Sequence, residues 1–326
     1  MHPDWQKFLL AHDGPAGGGR TAAGDALLSD LSHAGLIRVE GADAGEFLQG
    51  QLSTDMEKLT ADTCQLSSWN NAKGRVTALL HLFWQDDAIH MALPAPLLAP
   101  VLKRLSMYVL RSKVTLKDAT DTLARFGVAG TGAADLLAKA GIEAPSSVYG
   151  ITNQEDVQVI RLYGDVPRFT IKAPVPKLVT LWEEIERLGT RPANEDAWAL
   201  AKILAGEPSI FSETSEHFVA QMLNLDTLGA IDFKKGCYIG QEVIARSHYR
   251  GGVKRHMLRG QSTAKADLKP GMELNLKGGE TAVAEIVDAR RDAGGIWQML
   301  LVVQDDHKDS GLVHAASGAA ITLSAL

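Results

Sequence analysis

Apolar residues in the first third of the chain occur with two different spacings, which predict a mixture of strands and helices. Runs of strand length occur at Leu36–Glu40, Arg75–Trp84 and Ala88–Leu93, with acidic turn residues between the last two. Apolar residues three and four positions apart follow at 43–52 and at 97–109, as on one face of a helix. The first thirty residues lack either spacing and are expected to be loose.

The chain from 113 to 193 repeats this mixture on a smaller scale. Four strand-like runs are expected there, at Lys113–Leu116, Leu123–Val128, Val157–Tyr163 and Arg168–Lys172. Two helices are expected at Ala133–Ala140 and Lys177–Leu188, the second ended by Gly189. Two helices among four short strands are typical of an α+β sandwich of the ferredoxin-like kind.

Past Gly252 the pattern changes to short β-like runs separated by glycine-rich turns. They lie at Val253–Arg259, Met272–Leu276, Thr281–Ala289, Ile296–Val303 and Ala319–Ser324. Such runs are typical of a small barrel or Greek-key domain. The sequence therefore predicts an α+β protein in four parts, listed in chain order: an N-terminal α/β domain at 1–112, an α+β domain at 113–193, a helical and loop segment at 194–252, and a C-terminal β-barrel at 253–326.

The composition is that of an ordinary globular protein, with 45% apolar and 22% charged residues among 326. The most apolar stretch, Ala92–Leu105, is interrupted by three prolines, so no membrane-spanning helix is expected. The two cysteines, Cys64 and Cys237, form no CxxC pair, and no basic leader precedes an apolar run near the N-terminus. These features predict a reducing, cytoplasmic location.

Charge is distributed unevenly along the sequence. The formal net charge is −6, which disfavours direct nucleic-acid binding. Residues 231–260 are the exception, because they contain seven Lys or Arg and two acids. A basic run of this kind is often only a solvated face of a protein. Here it overlaps the densest motif in the sequence, which favours a binding role.

That motif occupies residues 233–242 and is built around Cys237. Two glycines bracket the cysteine, so the backbone can turn sharply and expose the thiol. A helix is expected at 241–247, and its N-terminus, together with Lys234 and Lys235, would favour the thiolate. A thiolate can serve as a nucleophile, a metal or cluster ligand, or a redox group. The alternative is a buried structural cysteine, which is the commoner fate of a lone Cys.

Other candidate sites carry weaker signals. Cys64 lies in a mixed stretch and is expected in the core. Residues 130–135 open a helix after a strand-like run, as a dinucleotide loop does, but the third glycine is missing and a simple strand–turn–helix joint fits better. His248 and His256 lack metal-site spacing, so no metal centre is predicted. Trp198 lies on a predicted amphipathic helix, where it either packs in the core or stacks on a flat heterocycle.

A longer pattern continues from the cysteine motif. It comprises Lys235-Gly236-Cys237-Tyr238-Ile239-Gly240-Gln241-Glu242, then Ala245-Arg246 and Arg250-Gly251. Stretches at 41–51, 72–75 and 205–208 belong to the same pattern. Together they resemble the YgfZ family, whose members are relatives of the glycine-cleavage T-protein, aminomethyltransferase.

The resemblance implies a T-protein-like multidomain fold, with α/β domains and a C-terminal β-barrel around a central folate pocket. The domain at 1–112 would then be of the folate-binding type, and the segment at 194–252, which carries the cysteine motif, would return to it. It implies tetrahydrofolate or a derivative as the cofactor. It also implies iron–sulfur enzymes or their assembly factors as partners, a tRNA methylthiolation enzyme among them. Cys237 corresponds to the family's functional cysteine. Trp198 corresponds to one of two folate-contacting tryptophans, whereas Ala34 occupies the position of the other.

The polar residues of the motif are expected to complete the folate site. Lys235, Gln241, Arg246 and Arg250 are the candidates. Their charges, together with those of neighbouring basic residues, would hold the glutamate tail of a folate or an acidic partner.

The chain departs from the aminomethyltransferases at one important place. In the segment that matches 70–78, those enzymes carry a motif of the form Asn-x-x-Gly-Gly-x-x-Asp-Asp. Its aspartate positions the folate nitrogen for attack. Thr77 and Ala78 occupy the paired-acid positions here, and neither can accept a proton as a carboxylate does. One-carbon transfer by the T-protein route is therefore not expected.

Three functional hypotheses follow from the sequence. The first is a folate-dependent accessory protein for the assembly or repair of iron–sulfur clusters, with Cys237 as its working thiol. The second is a folate-dependent one-carbon (aminomethyl) transferase with an altered acid. The third is an RNA-binding module that uses residues 231–260, whose binding would weaken steeply as salt is added.

Overall fold

The computed structural model describes residues 1–12 and 26–326. The described residues form seven α-helices, α1 Pro3–Ala11, α2 Ala44–Gln49, α3 Ala95–Ser106, α4 Ala133–Lys139, α5 Val175–Arg187, α6 Glu195–Leu204 and α7 Gln241–Arg250. They also form 17 strands, β1 Leu27–Asp30, β2 Ala34–Glu40, β3 Gln65–Asn70, β4 Val76–Gln85, β5 Ala88–Pro94, β6 Thr115–Asp118, β7 Arg125–Ala129, β8 Ile151–Gln154, β9 Val157–Arg161, β10 Arg168–Lys172, β11 Arg191–Ala193, β12 Arg255–Ser262, β13 Glu273–Leu276, β14 Ala282–Arg291, β15 Trp297–Gln304, β16 Leu312–His314 and β17 Ala319–Ser324.

The strands assemble into two open sheets and a closed barrel. The six-stranded sheet has the order β11-β1-β7-β10-β9-β8, and the five-stranded sheet has the order β3-β4-β5-β2-β6. The barrel has the order β12-β15-β14-β13-β16-β17. β6, which the sequence grouped with the second set of strands, instead pairs antiparallel with β2 of the five-stranded sheet. The predicted α+β class with a C-terminal barrel is confirmed.

The chain divides into two compact units that are discontinuous in sequence. The first contains 1–47, 56–65 and 80–201, and the second contains 48–55, 66–79 and 202–326. The cysteine motif and the stretches 48–51 and 72–75 of the same sequence pattern therefore belong to the second unit, whereas Trp198 belongs to the first. The division at 112, 193 and 252 stays a prediction.

The first unit has an aromatic core beside its six-stranded sheet. Trp182 on α5 meets Trp5 and Phe126 edge to face, with ring centroids 5.6 and 5.7 Å apart. Trp5 lies on α1, so the N-terminus contributes to this core, and the expectation of a loose first thirty residues was wrong at α1 and β1. Residues 13–25 of that stretch lie outside the described residues.

In the second unit, the barrel encloses an apolar core that includes Leu274, Ile286 and Leu301. Gly260 allows this packing, because a Cβ there would lie 2.4 Å from Cδ1 of Leu301. Five of the six barrel strands were predicted. The sequence missed β16, whose three residues are too few to show alternation.

Candidate functional site

Cys237 lies on an exposed loop immediately before α7. Gly240 precedes the first residue of the helix and has a φ of 83°, in the left-handed region that favours glycine. A Cβ at Gly240 would lie 2.5 Å from the carbonyl oxygen of Asn71 and 3.0 Å from Cα of Gly74. The predicted helix after the cysteine is confirmed, and the glycine is needed for both the turn and the close approach.

The turn at 71–74 completes this contact from the other side. Gly74 has a φ of 69°, and a Cβ there would lie 2.9 Å from Cβ of Val243 on α7. Gly74 belongs to the stretch 72–75 that the sequence grouped with the cysteine motif. Two parts of one sequence pattern, far apart along the chain, therefore meet within the second unit, and a glycine lies on each side of the contact.

Lys235 fixes the cysteine loop through a buried side chain. Its side chain is 8% exposed, and its Nζ donates to the carbonyl oxygens of Gln49, Leu52 and Thr54, each at 2.7 Å. Burial lowers the pKa of Lys235 to about 8, against the opposing effect of Asp55 and nearby Asp232. Its place in the motif predicted an electrostatic role beside the thiol, but in the structure its amine holds backbone carbonyls.

The backbone on both sides of Cys237 is also fixed to the segment 48–55. The amide of Asp232 donates to the carbonyl oxygen of Ser53 at 2.8 Å, and the amide of Ile239 donates to that of Gly50 at 3.3 Å. Oδ1 of Asp232 accepts from the amides of Lys234 and Lys235, at 2.7 and 3.2 Å. The exposed thiol therefore lies on a loop whose backbone is held in place by hydrogen bonds on both sides of Cys237.

A buried polar network continues from Ser53. The Ser53 hydroxyl donates to the carbonyl oxygen of Ala230 at 2.6 Å and accepts from the amide and the hydroxyl of Ser68, at 2.8 and 2.9 Å. The side-chain amide of Asn70 donates to the Ser68 hydroxyl at 3.0 Å. Sequence reasoning missed these residues. The available signal was the run of small polar residues inside the apolar strand β3.

The remaining motif residues predicted to contact a ligand lie on or near α7. Oε1 of Gln241 accepts from the amide of Tyr238 at 3.3 Å, which helps to shape the turn. Arg246 is exposed and pairs with Glu242 one turn earlier, at 2.9 Å. Arg250 is exposed at the end of the helix. Within the described part of the chain, no group of three His, Cys, Asp or Glu residues could hold a metal ion.

An aromatic pair stands next to these charges. The rings of Phe233 and His248 stack with centroids 3.8 Å apart, and Tyr249 meets the His248 ring edge to face at 4.7 Å. Tyr249 is two-thirds exposed. The exposed surface around α7 thus offers a thiol, guanidinium groups and aromatic rings.

Comparisons with known proteins identify the family of this chain. Residues 17–161 match the GCVT N-terminal domain family. The chain is 30% identical to the tRNA-modifying protein YgfZ of Yersinia pestis over 87% of its own length and 87% of that protein. It is also 30% identical to the tRNA-modifying protein YgfZ of Colwellia psychrerythraea, over 71% of its own length and 70% of that protein. This chain belongs to the YgfZ family.

The fold of this YgfZ-family chain is that of the T-protein. The glycine cleavage aminomethyltransferase T from Bartonella henselae matches it with a TM-score of 0.75 at 18% identity, covering 93% of this chain and 86% of that enzyme. At this level of identity, the likeness concerns the fold alone. It confirms the fold class that the sequence resemblance implied.

The segment 70–78 holds one feature that the sequence did not show. The Thr77 hydroxyl donates to Oε1 of Glu216 at 3.3 Å, and the side-chain amide of Asn71 donates to Oε2 at 2.8 Å. Ala78 is fully buried. The positions that hold paired acids in the aminomethyltransferases carry none in this YgfZ-family chain, but Glu216, 139 residues further along, brings a carboxylate to Thr77.

Trp198 and Cys64 lie in the first unit. Trp198 is 5% exposed within an apolar cluster, and a Cβ on Gly127 would lie 2.4 Å from its ring. The guanidinium of Arg168 lies 5.9 Å from the ring centroid. Cys64 is buried in the same cluster, as predicted. Trp198 thus packs in the core, and its contact with folate stays a prediction.

A helix that crosses a bilayer needs about 20 predominantly apolar residues. Among residues 1–12 and 26–326, no helix is long and apolar enough to cross a membrane.

Proposed function

We propose that this chain binds a reduced folate and uses the thiol of Cys237 to support enzymes that carry iron–sulfur clusters, tRNA-modifying enzymes among them. The observation that carries the proposal is an exposed thiol on a loop whose backbone is fixed by Lys235 and Asp232. A thiol with a purely structural role has no need of exposure, and a working thiol has to be both accessible and well positioned.

The surroundings of Cys237 suit approach by a partner. A Cβ at Gly236 would meet no heavy atom within 4 Å outside its own chain neighbours, so the side of the loop next to the thiol is open. A thiolate is a soft ligand for iron and is also readily oxidised and reduced. Both properties fit the assembly or repair of clusters, in which sulfur and iron are exchanged between proteins.

Folate is the proposed cofactor. Membership of the YgfZ family and the match to the GCVT N-terminal domain support it. Exposed Arg246 and Arg250 would hold the carboxylates of the glutamate tail, because a guanidinium pairs with carboxylate in a two-pronged geometry. Gln241 and Lys235 would act by shaping the loop. Trp198 is proposed as the ring that contacts the pterin, which requires its cluster to open on binding.

A second candidate function is aminomethyl transfer, and the contact between Glu216 and Thr77 favours it. A carboxylate supplied from position 216 would be available for proton transfer although Thr77 and Ala78 are not acids. Incubation with tetrahydrofolate and an aminomethyl donor tests this reaction. Methylene-tetrahydrofolate should appear with the parent protein and not with Glu216→Gln, if the second candidate is correct.

The test of the first proposal is complementation. In cells that lack their own copy, Cys237→Ser should fail to restore the activity of an iron–sulfur tRNA-modifying enzyme, at a protein level equal to that of the parent. Cys64→Ala is the matched control, because it removes the other thiol, which is buried. This variant should restore activity when it accumulates to the protein level of the parent. Full recovery with Cys237→Ser would defeat the mechanism. Calorimetric titration with tetrahydrofolate tests the cofactor separately.

A further inference from the structure

The first unit contains a cleft that the proposed function does not use. Its volume is about 520 Å³, and Trp84 and Gln158 are among the residues that line it. Two tight hairpin turns form its rim. One joins β4 to β5 through Asp86 and Asp87, and the other joins β8 to β9 through 155–156, a glutamate and an aspartate.

The rim is strongly acidic. It carries four carboxylates, two on each turn, and within the described residues none of them forms an ion pair with a Lys, Arg or His side chain. The guanidinium of Arg38 reaches the first turn, but it donates to the backbone carbonyl of Asp86 at 3.2 Å and not to the carboxylate. A cleft with an uncompensated negative rim concentrates cations.

Lys172 lines the same cleft. It lies at the end of β10 and is 1% exposed. Its Nζ donates to Oε1 of Gln158 and lies 3.2 Å from the centroid of the Phe83 ring. Gln158 is itself held in place, because its amide donates to the carbonyl oxygen of Trp84 at 3.3 Å and to Oδ1 of Asn153 at 2.9 Å. The amine therefore has a fixed orientation.

Lys172 differs from the structural lysine of the same protein. Lys235 satisfies its ammonium with three carbonyl oxygens, as a buried charge requires. Among described residues, Lys172 has one amide oxygen and an aromatic ring, and no carboxylate within ion-pair distance. The ring face and one amide oxygen stabilise an ammonium ion less than the three carbonyl oxygens around Lys235 do, and neither supplies the negative charge that would offset its burial.

The charged groups around Lys172 favour its neutral form. Burial lowers its pKa well below the ordinary value, and Arg125, its cross-strand partner, lowers it further. Cys64 and Asp86 oppose the shift. His90 is kept neutral by its own burial, which lowers its pKa to about 4. An unprotonated amine carries a free electron pair and is a nucleophile.

We propose that Lys172 is the reactive amine of a site for a small aldehyde that carries a positive charge. The amine nitrogen attacks the carbonyl carbon, and the carbonyl electron pair moves to oxygen. The carbinolamine then loses its oxygen as water together with the two amine protons, which leaves an imine between Nζ and the former carbonyl carbon. No oxidant or reductant is required. The four carboxylates of the rim select the cationic aldehyde.

The experiment traps the imine on the intact protein. Betaine aldehyde is added at neutral pH with cyanoborohydride, which reduces an imine to a stable secondary amine, and the labelled lysine is found by peptide mass spectrometry. Lys103 and Lys139 are exposed lysines of the same unit and serve as internal references. Lys172 should be labelled at least about tenfold faster than either, since each unit of pKa depression raises the neutral fraction tenfold. Equal or slower labelling would overturn the proposal.

The role of the acidic rim is tested with a second aldehyde of opposite charge. Glyoxylate should label Lys172 more slowly than betaine aldehyde does. The double variant Asp87→Asn, Glu155→Gln keeps Lys172 and should reduce the difference between the two labelling rates. Equal labelling rates for the two aldehydes on the parent protein would show that the site does not select a cationic aldehyde, which contradicts the proposal. Lys172→Met should abolish the site-specific label. If that variant does not fold, the peptide assignment on the parent protein decides the matter.

Discussion

The Nζ of Lys235 donates to the carbonyl oxygen of Thr54 across 2.7 Å, and this contact ties the cysteine loop to a segment 181 residues earlier in the chain. The same amine reaches two further carbonyl oxygens of that segment. Cys237 lies two residues beyond Lys235, so the position of the exposed thiol depends on a buried charge. Four predictions test this loop and two residues of the first unit.

Replacing Lys235 by Met should lower the free energy of unfolding by about 3 kcal/mol, because three buried carbonyl oxygens lose a charged donor. Urea unfolding measures the change. Lys234→Met is the matched control, since Lys234 is exposed and should shift stability by no more than about 0.5 kcal/mol. Weaker folate binding by Lys235→Met at unchanged stability would instead make Lys235 a ligand contact.

Gly240→Ala should destabilise the second unit by about 2–4 kcal/mol, since alanine is strained at a φ of 83° and its Cβ would meet the Asn71 carbonyl at 2.5 Å. Thermal unfolding measures the loss. Gly236→Ala, on the other side of Cys237, is the control, because open space surrounds its Cβ position. Equal losses from the two changes would mean that the close approach to 71–74 contributes nothing.

Stability should fall as the pH drops from 6.5 towards 4, through His90. Burial lowers the pKa of folded His90 to about 4 from 6.5, and the positive charge of Arg38 acts in the same direction. Over this interval the unfolded chain binds a proton that the folded protein does not bind. This difference lowers the free energy of unfolding by up to about 3 kcal/mol. Above pH 6.5 the ring is neutral in both states and the effect is absent.

Urea unfolding at several pH values measures this dependence. His90→Phe keeps a ring against Phe83, which stacks on His90 at a centroid distance of 5.5 Å. The variant should lose the part of the slope that falls between pH 6.5 and 4. An unchanged slope would show that other groups cause it.

Trp198→Phe should weaken tetrahydrofolate binding about fivefold, if the larger ring contacts the pterin, since an aromatic contact contributes about 1 kcal/mol. Calorimetric titration measures the affinity. Trp182→Phe is the control, because Trp182 is equally buried in another cluster of the same unit. If both variants lose affinity equally, Trp198 acts only through packing.

Much of the site could be predicted from sequence because its signals are local. The glycines around Cys237, the basic residues beside it and the helical pattern after it lie within one short run, so propensity and spacing identify an exposed thiol before a helix. The barrel was predictable for the same reason, except for β16. A strand of three residues has no periodicity to detect.

The partners of these residues could not be predicted in the same way. The carbonyl oxygens that hold Lys235 lie 181 to 186 residues earlier, and Glu216 meets Thr77 across 139 residues. A basic residue in a motif has the same appearance in the sequence whether it faces solvent or is buried. Burial and neighbours decide its charge and its role.

By itself, the sequence determined the helices and strands with regular spacing, the α+β class and the position of Cys237 just before a helix, because each depends on residues close together in the chain. Only the tertiary structure decided that Lys235 is a brace, that a carboxylate reaches Thr77, and that Lys172 lies at a cleft with an acidic rim. Those properties arise from segments that approach one another after folding, where the loss of water and the nearby charges set the chemistry of each side chain.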